Sequence, residues 1–233
     1  MAEDDGELMV RYASGDLHAF ATLYSRHRAP LYRYVARLVR DREAANDLFQ
    51  DVWSRVIAHR ARYEPRARFS TYLYRVAHNC CIDHLRRAAA RPGRVADDSE
   101  TAEDPTLALS APDEESPEKR FECAELLACY RAALESLPLA QRDAFLLAEQ
   151  SGLSLEEIAS VTGVGLETAK SRLRYALVKL RKALAARAGP ESRIEGRARE
   201  ARRNAQPLVA AVASAASIEG DTGALQLAGE PSS

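Results

Sequence analysis

Cysteine is scarce in this chain, and no cysteine pair has the spacing of a metal or redox motif. The four cysteines, Cys80, Cys81, Cys123 and Cys129, all lie within apolar helical patterns. A structural zinc site needs four converging ligands, and the cysteines and neighbouring histidines of residues 78–84 would point in different directions on a helix. The sequence therefore predicts reduced, buried thiols and no metal centre, with a thiol switch as a second hypothesis.

Long apolar runs, a signal sequence and catalytic motifs are also missing. No stretch approaches the roughly 20 apolar residues that span a bilayer, and the opening MAEDDGELMV is acidic where a signal peptide would be basic. There is no P-loop, no G-x-G-x-x-G and no G-x-S-x-G, and the acids have no arrangement suited to acid–base catalysis. These absences predict a soluble cytoplasmic protein that is not an enzyme and needs no cofactor.

Net charge is nearly absent as well, at −1, but the charges are strongly segregated. Residues 60–94 contain nine arginines against two acids, and residues 166–187 contain seven basic side chains against one acid. Between them, residues 97–122 contain ten acids against two basic side chains. Two basic segments separated by an acidic one predict two surfaces that bind polyanions.

The periodic segments have the 3.6-residue period of a helix, and no convincing alternating strand is present. The predicted helices are 7–14, 16–28, 30–40, 42–59 and 70–87 in a first block, then 118–136, 139–150, 155–162 and 166–186 in a second. Asp16 and Ser70 are candidate N-caps, and Pro30 can begin a helix at its first turn.

Composition divides the chain into domains. Residues 91–117 are rich in Pro, Ser, Asp and Glu, a composition that cannot bury a core and predicts a flexible linker. The predicted fold class is all-α, with two small helical domains at 1–90 and 118–187 joined by this acidic linker. Residues 188–233 lose helical periodicity and gain Gly, Pro and Ser, which predicts a flexible C-terminal extension.

The stretch LSLEEIASVTGVGLETAKSRLRYALVKLRKAL has the pattern of a helix-turn-helix. Ser154 and Glu157 form a capping box, and Gly163 and Gly165 bracket a tight turn. The residues predicted to face inward from the second helix are Ala169, Leu173, Leu177, Leu180 and Leu184. Such a motif places the N-terminal residues of its second helix against base edges in the major groove.

Polar residues near the start of that second helix are the candidates for contacting duplex DNA. Arginine and lysine donate hydrogen bonds to guanine, whereas threonine and serine are less selective. The candidates are Glu167, Thr168, Lys170, Ser171, Arg172, Arg174 and Tyr175. A solvated basic helix in a helical hairpin is the alternative interpretation.

Two segments of the first block carry unusual polar faces. In NDLFQDVWSRV, an apolar stripe is predicted for packing: Leu48, Phe49, Val52, Trp53, Val56 and Ile57. The opposite face is narrow and acidic, and it either contacts a basic helical partner or is simply solvated: Asp47, Gln50, Asp51 and Ser54. In FSTYLYRVAHNCCIDHLRR, one face mixes an aromatic ring, an amide and arginines, which indicates a ligand with rings and phosphates: Tyr72, Arg75, Asn79, Asp83 and Arg86.

Taken together, and in their order along the chain, the three segments resemble bacterial sigma factors of the extracytoplasmic-function group, over about residues 7–90 and 119–186. The resemblance implies that NDLFQDVWSRV binds core RNA polymerase through Asp47, Gln50, Asp51 and Ser54. It implies that FSTYLYRVAHNCCIDHLRR, with the loop before it, recognises and melts the minus-ten element through Tyr63, Phe69, Tyr72, Arg75, Asn79, Asp83, Arg86 and Arg87. The helix-turn-helix would read the minus-thirty-five element.

The implied partners are core RNA polymerase and promoter DNA, and the resemblance also allows an anti-sigma factor. Tyr72 departs from the family, which commonly has tryptophan at this position, so the stacking ring is smaller. A free-standing helix-turn-helix regulator is the alternative function. It would need a dimer surface and a ligand-sensing domain, and residues 7–90 resemble neither.

Overall fold

The computed structural model describes residues 3–65, 67–90 and 117–187, with only the backbone described for 117–123 and 187. These residues form eight α-helices, one short 3-10 helix at Arg60–Arg62, and no strand. The α-helices are α1 (Asp5–Ala13), α2 (Leu17–Val39), α3 (Arg42–Ala58), α4 (Phe69–Ala89), α5 (Pro117–Glu135), α6 (Leu139–Ser151), α7 (Leu155–Thr162) and α8 (Leu166–Arg187). The all-α prediction is confirmed. The predicted linker up to residue 116 and the extension 188–233 lie outside the described residues.

Local capping explains several helix starts. The Asp16 carboxylate accepts hydrogen bonds from the backbone N–H groups of His18 and Ala19, as predicted for an N-cap. The capping box of Ser154 and Glu157 is also present, with both reciprocal hydrogen bonds formed. No helix in the described parts of the chain is long and apolar enough to cross a membrane.

Two of the predicted signals for the start of a helix are wrong. Pro30 lies inside α2, which continues through it, although an internal proline costs about 3 kcal/mol. Leu23 and Leu31 on either side of it are fully buried, so packing outweighs the lost hydrogen bond. Ser70 is not a cap, because α4 begins one residue earlier, at Phe69, and its N-cap position has no side-chain hydrogen bond. Burial of Phe69 to 2 % exposure accounts for the earlier start.

Helices α1–α4 share one core, in which α2 packs against α1, α3 and α4. Its edge is an aromatic cluster in which the Trp53 ring lies 5.8 Å from Phe20 and 5.0 Å from Tyr24. The apolar stripe predicted for α3 is mostly buried, with Val52 and Val56 fully so. Ile57 is an exception at 37 % exposure, because it follows the last full turn of the stripe and faces outward.

Helices α5–α8 form the second set, in which α8 packs against α5, α6 and α7. Gly163 ends α7 at φ +67°, a conformation that favours glycine, and the chain turns there into α8. Ala169, Leu177 and Leu180 of α8 are buried as predicted. Leu173 and Leu184 are half-buried, because the buried face of α8 is displaced toward Ala176, which is fully buried.

The two sets of helices pack against each other, α2 on α6 and α4 on α7. A buried polar network joins them: Tyr34 donates a 2.8 Å hydrogen bond to Asp143 Oδ1, and His78 Nδ1 lies 3.0 Å from Asp143 Oδ2. Burial and the nearby Asp143 carboxylate raise the pKa of Tyr34 well above its ordinary value, so this phenol stays protonated. Arg142 adds a buried hydrogen bond of 3.1 Å to the carbonyl of Leu38.

The start of α1 is tied to α2 by a carboxylate with a lowered pKa. Asp5 accepts from Arg26 at 2.6 Å and lies 2.7 Å from His27 Nε2. Burial raises the pKa of Asp5, but the hydrogen bonds from Arg26 and His27 outweigh it, so the net shift is downward.

We expect Asp5→Asn to lower the melting temperature near neutral pH and to matter less in acid. A carboxyl whose pKa is lowered on folding stabilises the protein above its unfolded pKa and loses that effect as pH falls through the folded value. Thermal melts of wild type and variant from pH 7 to pH 3 would measure the difference. The control is Glu7→Gln, an exposed acid of the same helix. If the melting temperatures of both variants changed with pH in the same way, the lowered pKa would not belong to Asp5 in particular.

Candidate nucleic-acid interface

A cavity of about 340 Å³ opens between α3, the 3-10 helix and α4. It combines aromatic rings, an amide, an imidazole and two guanidinium groups. The residues that line it are Arg55, His59, Arg62, Tyr63, Tyr72, Val76 and Asn79. This lining offers stacking surfaces, hydrogen-bonding groups and cations in one place, the combination that binds unpaired nucleotides.

The aromatic wall of the cavity is built by the loop before α4 and the first turn of that helix. The Tyr63 and Tyr72 rings meet edge to face, with centroids 5.3 Å apart. Phe69 lies beneath them, 6.2 Å from Tyr63 and 6.3 Å from Tyr72, and its other side contacts the ring of His27 at 5.2 Å. Burial raises the pKa of both tyrosines, so each phenol is protonated at neutral pH and can donate or accept.

Three of the predicted minus-ten residues therefore meet in the cavity: Tyr63, Tyr72 and Asn79. Phe69 supports the two tyrosine rings from below and does not itself line the cavity. The sequence did not indicate four of the lining residues: Arg55, His59, Arg62 and Val76. Arg55 lies within α3, His59 and Arg62 follow that helix, and nothing in their spacing shows that they face α4.

The remaining predicted minus-ten residues lie elsewhere on α4. Arg75 faces α7 and donates a 2.7 Å hydrogen bond to the hydroxyl of Ser160. Arg86 lies 3.9 Å from the exposed carboxylate of Asp83, and Arg87 donates to the Asp83 carbonyl at 3.1 Å. These four residues, Asp83 included, are outside the cavity lining, on the exposed surface of the same helix.

The predicted polymerase-binding residues share the outer face of α3. Asp47, Gln50 and Ser54 are exposed, and the Asp51 side chain is 45 % exposed. Asp51 forms an ion pair of 2.9 Å with Arg55, one turn further along the helix. The face is therefore accessible to a partner. Its Asp51 carboxylate also forms an ion pair with Arg55, which lines the cavity.

The helix-turn-helix of α7 and α8 presents the start of α8 to solvent. Glu167, Thr168, Arg174 and Tyr175 are exposed there, and Lys170, Ser171 and Arg172 are half-buried. The guanidinium of Arg174 lies 5.2 Å from the centroid of the Tyr175 ring. Such a cation–π contact holds the arginine on the outer surface of the helix without neutralising its charge.

The buried cysteines have the properties of core residues. Burial raises the pKa of Cys80 to about 11 and the pKa of Cys81 still further. A thiol that remains protonated is a poor nucleophile and a poor metal ligand, so these two cysteines do not favour the thiol-switch hypothesis. Within residues 3–65, 67–90 and 117–187, no three potential metal ligands cluster.

Two family models match the chain in the order of its two helical sets. Sigma-70 region 2 matches residues 23–91, and Sigma-70 region 4 matches residues 127–180. The protein is thus of the sigma-70 class. More particularly, the chain belongs to the extracytoplasmic-function group of RNA polymerase sigma factors, as its curated relatives indicate.

The relatives match over most of their length. The SigM factor of Mycobacterium tuberculosis is 32% identical over 77% of this chain and 84% of the relative. CarQ of Myxococcus xanthus is 34% identical over 76% of this chain and 95% of the relative. The sigma-H factor of Pseudomonas aeruginosa is 33% identical over 78% of this chain and 94% of the relative.

Two solved structures share the fold at lower identity. CnrH, solved in complex with the cytosolic domain of CnrY, has a TM-score of 0.55 and 23% identity, covering 79% of this chain and 99% of the other. RpoE from Bartonella quintana, solved with the anti-sigma factor NepR, has a TM-score of 0.57 and 22% identity, covering 72% and 98%. Both support the all-α architecture.

Proposed function

We propose that this sigma factor binds core RNA polymerase through the outer face of α3, opens promoter DNA at the cavity and reads an upstream element with α8. It acts in the cytoplasm as a specificity subunit and catalyses no reaction itself. The observation that carries the proposal is the cavity, where Tyr63, Tyr72 and Asn79 converge with cationic side chains.

The chemistry of the cavity suits a single unpaired base. Extruding a base from the duplex costs a few kcal/mol. Stacking on an aromatic side chain contributes about 1–3 kcal/mol per base, so the Tyr72 ring can offset much of that cost. Asn79 carries both a donor and an acceptor, which can pair with a Watson–Crick edge, and the arginines can contact the backbone.

Core polymerase is proposed to bind the carboxylates of α3. Asp47 and Asp51 lie on an accessible face whose opposite side is anchored in the core by Val52 and Val56. A rigid helix with a narrow acidic face is complementary to a basic helical partner.

Promoter binding through Arg75 requires its hydrogen bond to α7 to break. In the structure Arg75 is bonded to Ser160 of α7, and Thr71 of α4 donates a 2.6 Å hydrogen bond to Glu157. We propose that α7 leaves α4 when the promoter is bound, so that Arg75 can reach a phosphate. An anti-sigma factor that holds α7 on α4 would oppose that step.

Transcription from a random promoter library, with reconstituted core polymerase, tests the proposal. The chain is expected to select a two-part sequence and to open it only when core polymerase is present. Permanganate reactivity of unpaired thymines would report opening. Sequence-specific binding to closed duplex by the chain alone, unchanged by core polymerase, would instead support the free-standing regulator.

We expect Lys170→Ala and Arg174→Ala to change the sequence preferred at the upstream element. A lost base-edge contact costs about 1–3 kcal/mol at one position. Selection from the same library would measure this, with Lys179→Ala as the control, since Lys179 is exposed further along α8. A uniform loss of affinity across all sequences would show that the two residues contact phosphates instead.

A further inference from the structure

Arg55 belongs to two surfaces at once. Its Nε and Nη2 atoms lie 3.1 and 2.9 Å from one carboxylate oxygen of Asp51, on the outer face of α3. The same side chain lines the cavity together with Asn79 of α4. Both members of the ion pair are about half exposed, at 47 % for Arg55 and 45 % for Asp51, so each can be reached from solvent.

The ion pair occupies one of the two paired-donor edges of the Arg55 guanidinium. A guanidinium has five N–H donors and no acceptor, and it contacts bases and phosphates most strongly when two donors act in parallel. The Nε and Nη2 donors form one such edge, and Asp51 occupies it. Exposed ion pairs one helical turn apart are weak, so a competing cation near Asp51 can displace Arg55.

We propose that Arg55 couples polymerase docking to base capture. A cationic group of core polymerase that engages Asp51 releases the guanidinium of Arg55, which then donates to acceptor atoms of the nucleotide in the cavity. The inference rests on the proposed function, since it takes Asp51 as a polymerase contact and the cavity as a nucleotide site. Because such coupling is reciprocal, nucleotide binding would also strengthen polymerase binding.

The first test uses the full chain without polymerase and a fluorescent random-sequence single-stranded DNA as the probe. Asp51→Asn removes the ion-pair partner of Arg55 and is expected to tighten binding of the DNA probe about three-fold more than Asp47→Asn does. The factor is small because an exposed ion pair is weak. Asp47→Asn is the matched control, because it removes the same charge from the same helix face one turn earlier. The double variant with Arg55→Gln should lose the extra affinity. Equal affinities of the two single variants would overturn the coupling.

The second test adds core polymerase. Wild type is expected to bind the probe more tightly with core polymerase, and Arg55→Gln to lose about three-fold of that gain, the same factor by which Asp51→Asn releases Arg55. Arg62→Gln, the same change at another arginine of the cavity wall, should weaken binding equally with and without polymerase. Arg55→Lys, which keeps the charge but not the paired donors, should retain only part of the gain.

The results separate the two proposals. If the complex with core polymerase opens promoters but Arg55→Gln behaves like Arg62→Gln, the coupling is wrong and the proposed function stands. If the chain neither associates with polymerase nor opens promoters, the proposed function itself fails, and the coupling fails with it.

Discussion

Tyr72→Ala is expected to reduce promoter opening about ten- to hundred-fold while leaving association with core polymerase unchanged. The substitution removes one stacking surface, worth about 1–3 kcal/mol per base. It also removes the ring against which Tyr63 packs at 5.3 Å, so the aromatic wall loses its shape. Because Tyr72 lies on α4 and the proposed polymerase contacts lie on the outer face of α3, the two activities are expected to separate.

The measurement is promoter opening by permanganate footprinting, with polymerase association measured in parallel, in the absence of DNA, by fluorescence anisotropy. Tyr72→Phe keeps the ring and should retain most of the activity, which distinguishes stacking from hydrogen bonding by the phenol. Asn79→Ala tests the other side of the cavity, and Asn46→Ala is its control, because Asn46 bonds the phenol of Tyr32 outside the cavity. Equal loss of opening and of polymerase association in Tyr72→Ala would show that this side chain is structural.

Asp143→Ala is expected to lower the free energy of unfolding by about 2–3 kcal/mol, the cost of leaving buried polar partners unpaired. Asp143 is only 3 % exposed, and both of its oxygens face groups of the other helical set, Tyr34 and His78. Without the carboxylate, the Tyr34 hydroxyl would be buried with no acceptor, which accounts for much of the loss.

Chemical denaturation of the full chain measures this effect. Asp143→Asn keeps an acceptor for Tyr34 and should cost less than the alanine variant, and Tyr34→Phe removes the donor alone. Glu156→Ala is the control, an exposed acid on neighbouring α7. If Asp143→Ala had the same midpoint denaturant concentration as wild type, the network would contribute nothing to the packing of α2 on α6.

Features encoded locally could be predicted from the sequence. The caps at Asp16 and Ser154 depend on neighbouring backbone groups, and the bounds of α7 match the prediction residue for residue. The helix start expected at Pro30 is absent because the effect of this proline depends on tertiary packing: the burial of Leu23 and Leu31 overrides the local signal.

Contacts between distant segments could not be predicted in the same way. Tyr34 and Asp143 are 109 residues apart, and within LPLAQRDAFLLAEQ the aspartate has the pattern of an ordinary surface residue. The cavity illustrates both cases. Tyr72 and Asn79 share a helix face and were predicted together, whereas Arg55 enters the wall only because α3 and α4 pack side by side.

Glu157 has a double attachment that bears on how the helix-turn-helix behaves when it is released. One of its carboxylate oxygens accepts the hydrogen bond from Thr71, and the other accepts from the backbone N–H of Ser154. Undocking breaks only the first of these, and water can replace a threonine hydroxyl at an oxygen that becomes exposed. The helix-turn-helix of α7 and α8 can therefore separate from α4 with its own fold intact, in the shape that enters the major groove.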